Sequence, residues 1–305
     1  MGKIIIITGA SSGFGKMTSE RLASHGHTVY GICRRAMEHP GIAYLQADVR
    51  DRERIAQIVK EVYDKEGRID VLINNAGMGI GGALELATPE EISAQMDINF
   101  MGCVNMCQQV LPYMRRQRAG RIINLSSIGG IMGLPYQGFY SASKFAIEGF
   151  SEALSAEVKG FGITVSMVEP GDFATNFTAS RLNSQATMDD PDYGPIFRRS
   201  LGLIEKEENG GLQPDVLAKR IEKIVNAKRP RLRYVVSNFE QWLSVVLKRI
   251  CPGNWFVDIL VDYYKTKPAE LISPRVPLSE SMSSVAGLLI EKCLLPLCAN
   301  IKCSF

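Results

Sequence analysis

Short apolar runs alternate with longer stretches of helical periodicity along the first 170 residues of the chain. The apolar runs are rich in β-branched residues, which is typical of strands buried on both faces of a parallel sheet. These predicted strands are residues 3–8, 28–33, 43–47, 71–73, 121–125 and 164–169. Predicted helices lie between them, at about 15–26, 52–66, 89–116 and around residues 140–144. The alternation predicts an α/β fold, a single domain built on a doubly wound, Rossmann-type parallel sheet.

Three glycines stand directly between the first predicted strand and the first predicted helix, in the sequence TGASSGFG at residues 8–15. Gly9, Gly13 and Gly15 allow a tight turn and a close approach of the backbone to a phosphate. The following helix offers unpaired N–H groups and the positive end of its dipole. Glycines in this position indicate a dinucleotide-binding site.

The second predicted strand ends in Cys33, Arg34 and Arg35, where NAD-binding proteins carry an acidic residue for the ribose hydroxyls. Two guanidinium groups suit a phosphate monoester, and no carboxylate stands there to repel it, which favours NADP over NAD. The alternative is that both arginines only solvate a loop. Asp48 follows the third strand and can accept a hydrogen bond from the adenine amino group. The sequence NNAG at 74–77 follows the fourth strand, on the ligand side of an open sheet.

The stretch SSIGGIMGLPYQGFYSASK, residues 126–144, carries candidate acid–base chemistry. Tyr140 and Lys144 are four residues apart, so on a helix both side chains point the same way. The Lys144 ammonium favours the phenolate and lowers the pKa of Tyr140 from its ordinary value of about 10. Ser127 can then donate a hydrogen bond to a substrate oxygen beside the phenol. The pattern predicts a centre for carbonyl and alcohol chemistry, although this spacing also arises by chance on amphipathic helices.

Composition and charge narrow the class of protein. The 305 residues, 46% hydrophobic and 22% charged, are ordinary for a globular protein with ample core. A formal net charge of +3 and no long basic run argue against a nucleic-acid partner. The seven cysteines show no paired metal spacing, so no metal site is predicted, and their odd number suggests free thiols in a reducing compartment. Because the first apolar run is too short for a signal peptide, we expect a cytoplasmic protein.

Taken together, the motifs resemble those of the short-chain dehydrogenase/reductase family, in the branch that holds 17β-hydroxysteroid and retinol dehydrogenases. The matching segments, in the family's order, are TGASSGFG at 8–15, Asp48-Val49, NNAG at 74–77, Asn99 in DINFMG, Ser127 in NLSSIGG, YSASK at 140–144 and PGDFAT at 170–175. The resemblance covers about residues 1–235, the expected NAD(P)-binding catalytic domain. Phe14 departs from the aliphatic or basic residue frequent at its position, which removes one phosphate contact.

The resemblance implies a role for each matching residue. Tyr140 is the general acid in carbonyl reduction or the base in alcohol oxidation, Lys144 lowers its pKa and binds the nicotinamide ribose, and Ser127 polarises the substrate oxygen. Asn99 holds a water that links Lys144 to solvent, unless its side chain only bonds helix backbone. The implied cofactor-binding residues are Gly9, Ser11, Ser12, Gly13, Phe14, Gly15, Arg34, Arg35, Asp48, Val49, Asn75, Ala76, Gly77, Tyr140 and Lys144, with Pro170, Gly171, Phe173 and Thr175 around the nicotinamide.

The substrate must be inferred from the parts of the chain that vary between such enzymes. Residues 176–211 are rich in Asn, Asp, Ser and Gly, with little periodicity outside 197–204, and are expected to form a mobile lid. The candidate pocket residues are mostly apolar: Met78, Ile128, Met132, Leu134, Pro135, Gln137, Phe139, Phe173 and Phe177. They favour a steroid, a retinoid or another lipid with a carbonyl or alcohol group. The alternative is that these side chains only complete the core.

Beyond the family template, residues 236–267 show apolar side chains at helical spacing, interrupted at Pro252 and Gly253. Such an amphipathic helical extension either covers the substrate pocket and the core or, with Lys248 and Arg249, contacts a membrane or a partner subunit. We expect the tail, residues 268–305, to be poorly ordered.

Two classes of function remain open at this point. The first is an NADP(H)-dependent oxidoreductase, with a 3-oxoacyl thioester or a small aldehyde as the alternative to a steroid, retinoid or lipid substrate. The second is a nucleotide-binding protein that senses or assembles without catalysis. The intact set of Asn99, Ser127, Tyr140 and Lys144 favours the enzyme, because a sensor has no chemical need for it. The resemblance also suggests a homodimer or homotetramer.

Overall fold

The structure is a computed structural model that describes residues 2–175 and 177–268. Asn176, at the start of the predicted lid, lies outside the described residues. So does the predicted poorly ordered tail, apart from Pro268.

Parallel strands form the centre of the molecule. The strands are β1 (Ile4–Thr8), β2 (Thr28–Cys33), β3 (Ile42–Gln46), β4 (Val71–Asn74), β5 (Ile80–Gly81), β6 (Gly120–Leu125), β7 (Ile163–Pro170), β8 (Leu182–Asn183) and β9 (Arg233–Val236). Seven of them make one parallel sheet in the order β3-β2-β1-β4-β6-β7-β9, and β5 pairs with β8 separately. This confirms the predicted fold class, and the six predicted strands agree with the observed ones to within one residue at each end.

Helices cover both faces of the sheet. They are α1 (Gly13–Ser24), α2 (Arg52–Glu66), α3 (Pro89–Met96), α4 (Gly102–Gln117), α5 (Gly138–Val158), α6 (Phe177–Ser180), α7 (Gln185–Asp189), α8 (Tyr193–Asn209), α9 (Pro214–Asn226), α10 (Phe239–Ile250) and α11 (Gly253–Tyr263). Buried side chains of α1 and α9 pack on one face, and those of α2, α4 and α5 pack on the other.

The first strand shows why the sheet is buried on both sides. Successive side chains of a strand point to opposite faces, so Ile4 and Ile6 join the core beneath α2, α4 and α5. Ile5 and Ile7 join the core beneath α1 and α9. A run of isoleucines therefore stabilises two hydrophobic layers at once, which an alternating polar pattern cannot do.

The predicted helix at 89–116 is wrong as a single element. A π-helical turn, Asp97–Met101, separates α3 from α4 and contains Asn99. Such turns insert one extra residue into a helix and change the direction of its side chains, and they are frequent at functional sites.

The segment expected to form a mobile lid, 176–211, holds more helix than its weak periodicity indicated, because α6, α7 and α8 lie within it. Its part as a lid stays a prediction. Phe197, Leu201 and Ile204 are buried one helical turn apart, and the helix around them extends well beyond the periodic segment recognised in the sequence. The sequence analysis did not identify α9 and β9.

Candidate active site

A cavity of about 1180 Å³ opens at the carboxyl ends of the central strands. The loops after β1, β2, β4, β6 and β7 each contribute to its wall, through Gly9, Arg34, Asn75, Ser127 and Gly171 respectively. In an open parallel sheet, ligands bind at this edge, where the order of the strands reverses.

The glycine-rich loop fits a dinucleotide phosphate because side chains are excluded from it. Gly9 has a φ angle of +67°, which favours glycine, and a Cβ there would lie 2.9 Å from the Cα of Ala76. A Cβ on Gly15 would lie 2.2 Å from the backbone oxygen of Gly9, so α1 can approach β1 only with glycine at this position. Gly15 itself lies behind the cavity wall.

Asn75 fixes the loop from the neighbouring strand. Its side-chain amide donates to the backbone oxygens of Thr8, at 2.9 Å, and Gly9, at 3.3 Å. The hydroxyl of Thr8 accepts hydrogen bonds from the backbone N–H groups of Asn75 and Ala76, each at 3.0 Å. Asn75 therefore shapes the cavity wall as well as lining it.

The structure brings Arg34, Arg35 and Asp48 to the same end of the cavity. Both arginines are exposed, and their guanidinium groups are free to approach a ligand phosphate. Arg50 binds the Asp48 carboxylate through two nitrogens, at 2.8 and 3.0 Å, and these hydrogen bonds lower the pKa of Asp48. Asp48 is therefore an anionic acceptor held in place beside the site expected for adenine.

Ser127, Tyr140 and Lys144 line one wall of the cavity, as the sequence predicted. Lys144 is buried and donates a hydrogen bond to the backbone oxygen of Leu125 at 2.8 Å. Its ammonium lies 5.7 Å from the centre of the Tyr140 ring. The Ser127 hydroxyl accepts a hydrogen bond from Gly129 N–H at 3.0 Å, which sets its orientation.

The pKa of Tyr140 differs from the sequence-based expectation. Burial raises it to about 12, although a hydrogen bond with Ser127 acts in the opposite direction. Burial likewise lowers the pKa of Lys144 to about 8. Desolvation of the phenolate therefore dominates the pKa of Tyr140, and the expected lowering by Lys144 is not found.

Asn99 lies behind this wall rather than on it. Its side chain accepts a hydrogen bond from Met78 N–H at 2.8 Å and donates to Met78 O and Ser143 Oγ, both at 3.0 Å. The π-helical turn directs it to these partners. The side chain thus joins the loop after β4 to α5, and its part in a water relay stays a prediction.

The comparisons with known proteins agree with this geometry. The family model for short chain dehydrogenases matches residues 3–186. The chain belongs to the short-chain dehydrogenase/reductase family. It is an oxidoreductase of a family that binds NAD(P). A relative from the hydroxysteroid dehydrogenase branch confirms the resemblance to that branch.

Two curated relatives and one crystal structure are informative. The chain is 54% identical over 263 residues to the 3-ketodihydrosphingosine reductase of Bacteroides thetaiotaomicron, covering 86% of this chain and 98% of that protein. It is 34% identical to human 17-beta-hydroxysteroid dehydrogenase type 1, covering 81% of this chain and 80% of that protein. A short-chain dehydrogenase from Streptomyces avermitilis is 30% identical with a TM-score of 0.73, covering 87% of this chain and 98% of that one.

The residues that line the substrate side of this dehydrogenase cavity partly match the predicted pocket residues. Seven of the nine predicted pocket residues line it: Met78, Ile128, Met132, Leu134, Gln137, Phe173 and Phe177. Pro135 and Phe139 do not, which corrects their assignment. Phe139 lies instead at a small separate cavity with Ile80 and Gly81, because the first turn of α5 directs it away from Tyr140.

Three helices contribute side chains that were not among the predicted pocket residues, although covering of the substrate pocket was one alternative for 236–267. Side chains of α8, α10 and α11, and of Tyr264 directly after α11, line the cavity, including Leu203, Ile204, Glu207, Glu208, Gln241, Ser244, Phe256, Ile259, Leu260 and Tyr263. Val245, Leu247, Phe256 and Ile259 also form a buried cluster with Ile128 and Met132. The amphipathic spacing of 236–267 predicted helices, and the fold shows that α10 lines the cavity with polar side chains and α11 with apolar ones.

Proposed function

We propose that this dehydrogenase uses NADPH to reduce the ketone of a long-chain lipid, and specifically a 2-amino-3-ketone such as 3-ketodihydrosphingosine. The observation that carries the proposal is the continuity of one cavity. It joins Tyr140 and Ser127 to a chamber lined by apolar side chains of α11, namely Phe256, Ile259 and Leu260, together with Ile128 and Met132. The 54% identity to a reductase of that name supports the same substrate class.

In this proposal, each polar residue of the wall has one task. When bound, the reduced nicotinamide supplies the hydride. Tyr140, whose pKa of about 12 keeps it protonated at neutral pH, gives its proton to the carbonyl oxygen. Ser127 donates a hydrogen bond to the same oxygen, and Lys144 holds the ribose and places positive charge beside the phenol.

The preference for NADPH rests on Arg34 and Arg35. Both lie at the cavity end of β2, where a ribose phosphate would be bound by two positive charges. Asp48 is bound by Arg50, so its negative charge is partly compensated.

The substrate assignment and the nicotinamide preference are tested by one panel. Oxidation of NADPH and of NADH is followed with 3-ketodihydrosphingosine, a 17-ketosteroid, retinal, a medium-chain aldehyde and a 3-oxoacyl thioester. We expect the highest kcat/KM with NADPH and the amino ketone. A higher kcat/KM for the steroid or for retinal would show that the substrate class is wrong. Nucleotide binding without turnover of any carbonyl would favour a protein that senses the nucleotide without catalysis.

The proposal includes contact with a lipid surface, where such a substrate resides. No helix in residues 2–175 and 177–268 is both long and apolar enough to cross a membrane. On α10, however, Phe239 and Trp242 are 72% and 46% exposed and stack with ring centres 5.8 Å apart. Gln241 and Ser244 of the same helix line the cavity. One helix therefore offers aromatic side chains outward and polar ones toward the site, with Lys248 and Arg249 in its last turn.

Co-sedimentation with vesicles of phosphatidylcholine and phosphatidylglycerol tests this contact. We expect the protein to sediment with the vesicles, and Phe239→Ser with Trp242→Ser to abolish it. Val216→Ser is the matched control, because Val216 is an exposed apolar residue on α9, away from α10. An equal loss of vesicle binding in the control variant, or no vesicle binding by the wild type, would refute membrane contact.

The proposal also covers a cytoplasmic location and a homodimer or homotetramer, built through α4 and α5. Met101 precedes α4 and Phe145 lies on α5, and both are large apolar residues exposed at the surface of the single chain. Light scattering after size exclusion distinguishes the states. A monomer at micromolar concentration would contradict this part of the proposal.

A further inference from the structure

Acidic side chains gather at one end of the same cavity. Asp172 follows β7, and Glu207 and Glu208 end α8; all three line the cavity together with Tyr140. A series of contacts runs from Tyr140, the proposed proton donor, through the Phe177 ring to Arg181, which binds Glu208. The Phe177 ring lies 5.9 Å from the Tyr140 ring, and the Arg181 guanidinium carbon lies 5.9 Å from the Phe177 ring.

Each carboxyl group of this cluster is held by a named partner. The Gln241 side chain both donates to the Asp172 carboxylate and accepts from Asp172 N–H, the latter at 3.1 Å. The Tyr263 hydroxyl donates to Glu207. Arg181 forms a buried ion pair with Glu208. The carboxyl groups are thus fixed in position before any ligand arrives.

Positive charge within the cluster does not balance the negative charge. Arg181 compensates Glu208, and Lys206 is an exposed cation beside the same wall, whereas Glu240 adds a further acid. Burial and the neighbouring Glu207 and Glu208 raise the pKa of Asp172 to about 7, and burial raises that of Glu207. A cation placed among these groups would restore their charged forms and gain a favourable interaction.

Two further features limit the nature of the missing ligand. The Arg181 side chain is only 2% exposed and its Nη2 binds Glu208, but Arg181 is not among the residues that line the cavity, so its charge is used within the protein. Within the described residues, no three acidic, histidine or cysteine side chains are arranged to share a metal ion. An organic cation fits the carboxyl groups that remain.

We propose that Asp172, with Glu207 beside it, determines substrate specificity by binding the ammonium group of the 2-amino ketone. This inference rests on the proposed function. The ammonium stands one carbon from the carbonyl, so its binding fixes the carbonyl next to Tyr140 and Ser127. The alkyl chain then occupies the chamber lined by apolar side chains of α11.

The test compares 3-ketodihydrosphingosine with its desamino analogue, 1-hydroxyoctadecan-3-one. We expect wild-type kcat/KM to be at least about 10-fold higher for the amine, as for a hydrogen-bonded charge pair. Asp172→Asn should reduce this ratio by about 10-fold or more. Glu207→Gln is the second variant, and NADPH affinity shows that each variant is folded. Asp64→Asn, at an exposed site on α2, is the matched control and should leave the ratio unchanged.

The outcomes separate the two proposals. If the wild type reduces both ketones with equal kcat/KM, or if both variants lower the two values equally, the ammonium site is refuted while the reductase remains. If the wild type reduces neither long-chain ketone yet reduces another carbonyl, the proposed substrate class fails, and the ammonium site fails with it.

Discussion

The ammonium of Lys144 lies 5.7 Å from the centre of the Tyr140 ring, one helical turn away on α5. Burial changes the two groups in opposite directions, raising the pKa of Tyr140 to about 12 and lowering that of Lys144 to about 8. At neutral pH the phenol therefore keeps its proton and the lysine keeps its charge. This combination suits a proton donor in carbonyl reduction, and it leads to the first prediction.

Replacing Tyr140 by Phe removes the proton donor and keeps the ring. We expect kcat to fall by about 10²–10⁴-fold, the usual contribution of general acid catalysis. NADPH affinity, measured by fluorescence titration, should change little. Tyr113→Phe, in a tyrosine packed between α2 and α4 outside the cavity, should leave kcat unchanged. Undiminished turnover in Tyr140→Phe would remove Tyr140 from its proposed role.

Cofactor preference should depend on the two arginines after β2. Because a charge-assisted contact to phosphate contributes about 1.5–3 kcal/mol, Arg34→Ala or Arg35→Ala should raise KM for NADPH by about 10–100-fold. KM for NADH should stay within a factor of about 2 to 3. Arg52→Ala, an exposed arginine at the start of α2, provides the control. An equal effect on both nucleotides would mean that the arginines do not bind the ribose phosphate.

The glycine-rich loop makes opposite predictions for two helical glycines. A Cβ on Gly15 would lie 2.2 Å from Gly9 O and 2.5 Å from the Asn75 amide nitrogen, so Gly15→Ala should lower the melting temperature and weaken NADPH binding. A Cβ on Gly149, exposed on α5, would meet no atom within 4 Å. Gly149→Ala should therefore raise stability by about 0.5–1 kcal/mol, through its higher helix propensity. Thermal denaturation and nucleotide titration of both variants test this. A Gly15→Ala variant as stable as the wild type, or a destabilised Gly149→Ala variant, would contradict the prediction for that glycine.

Stability should fall as pH rises through weakly acidic values, because Glu169 is buried at the end of β7. Burial and the neighbouring Glu148 raise its pKa from 4.5 to about 7, against the attraction of Arg233 and Arg249. The folded protein then binds more protons than the unfolded chain between these pH values, so the free energy of unfolding decreases by up to about 1.4 kcal/mol per pH unit.

Glu169→Gln should flatten this pH dependence in urea denaturation, leaving a part that comes from Asp172, whose pKa is also raised to about 7. Glu152→Gln is the control, because Glu152 binds Arg233 from an exposed position on α5. If the slope in Glu169→Gln equals that of the wild type, Glu169 does not titrate in this range.

Local sequence determined those features whose physical cause spans only a few residues. A run of isoleucines specifies β1 because a parallel strand must be apolar on both faces. The spacing of Tyr140 and Lys144 specifies their shared direction because a helix returns to the same face after one turn. Gly9 directly follows β1, and Arg34 and Arg35 directly follow β2, where the sheet fixes their place.

Tertiary structure alone decided which distant segments close the cavity. Gln241 binds Asp172 across 69 residues of sequence, and Arg181 meets Glu208 across 27. Neither pair belongs to a periodic pattern, and the second lies in a segment whose helices the sequence analysis underestimated. Asn99 likewise turns to Met78 because a π-helical turn interrupts the helix. Local periodicity indicates which face of a helix or strand is apolar. Which other element packs against that face depends on how the whole chain folds.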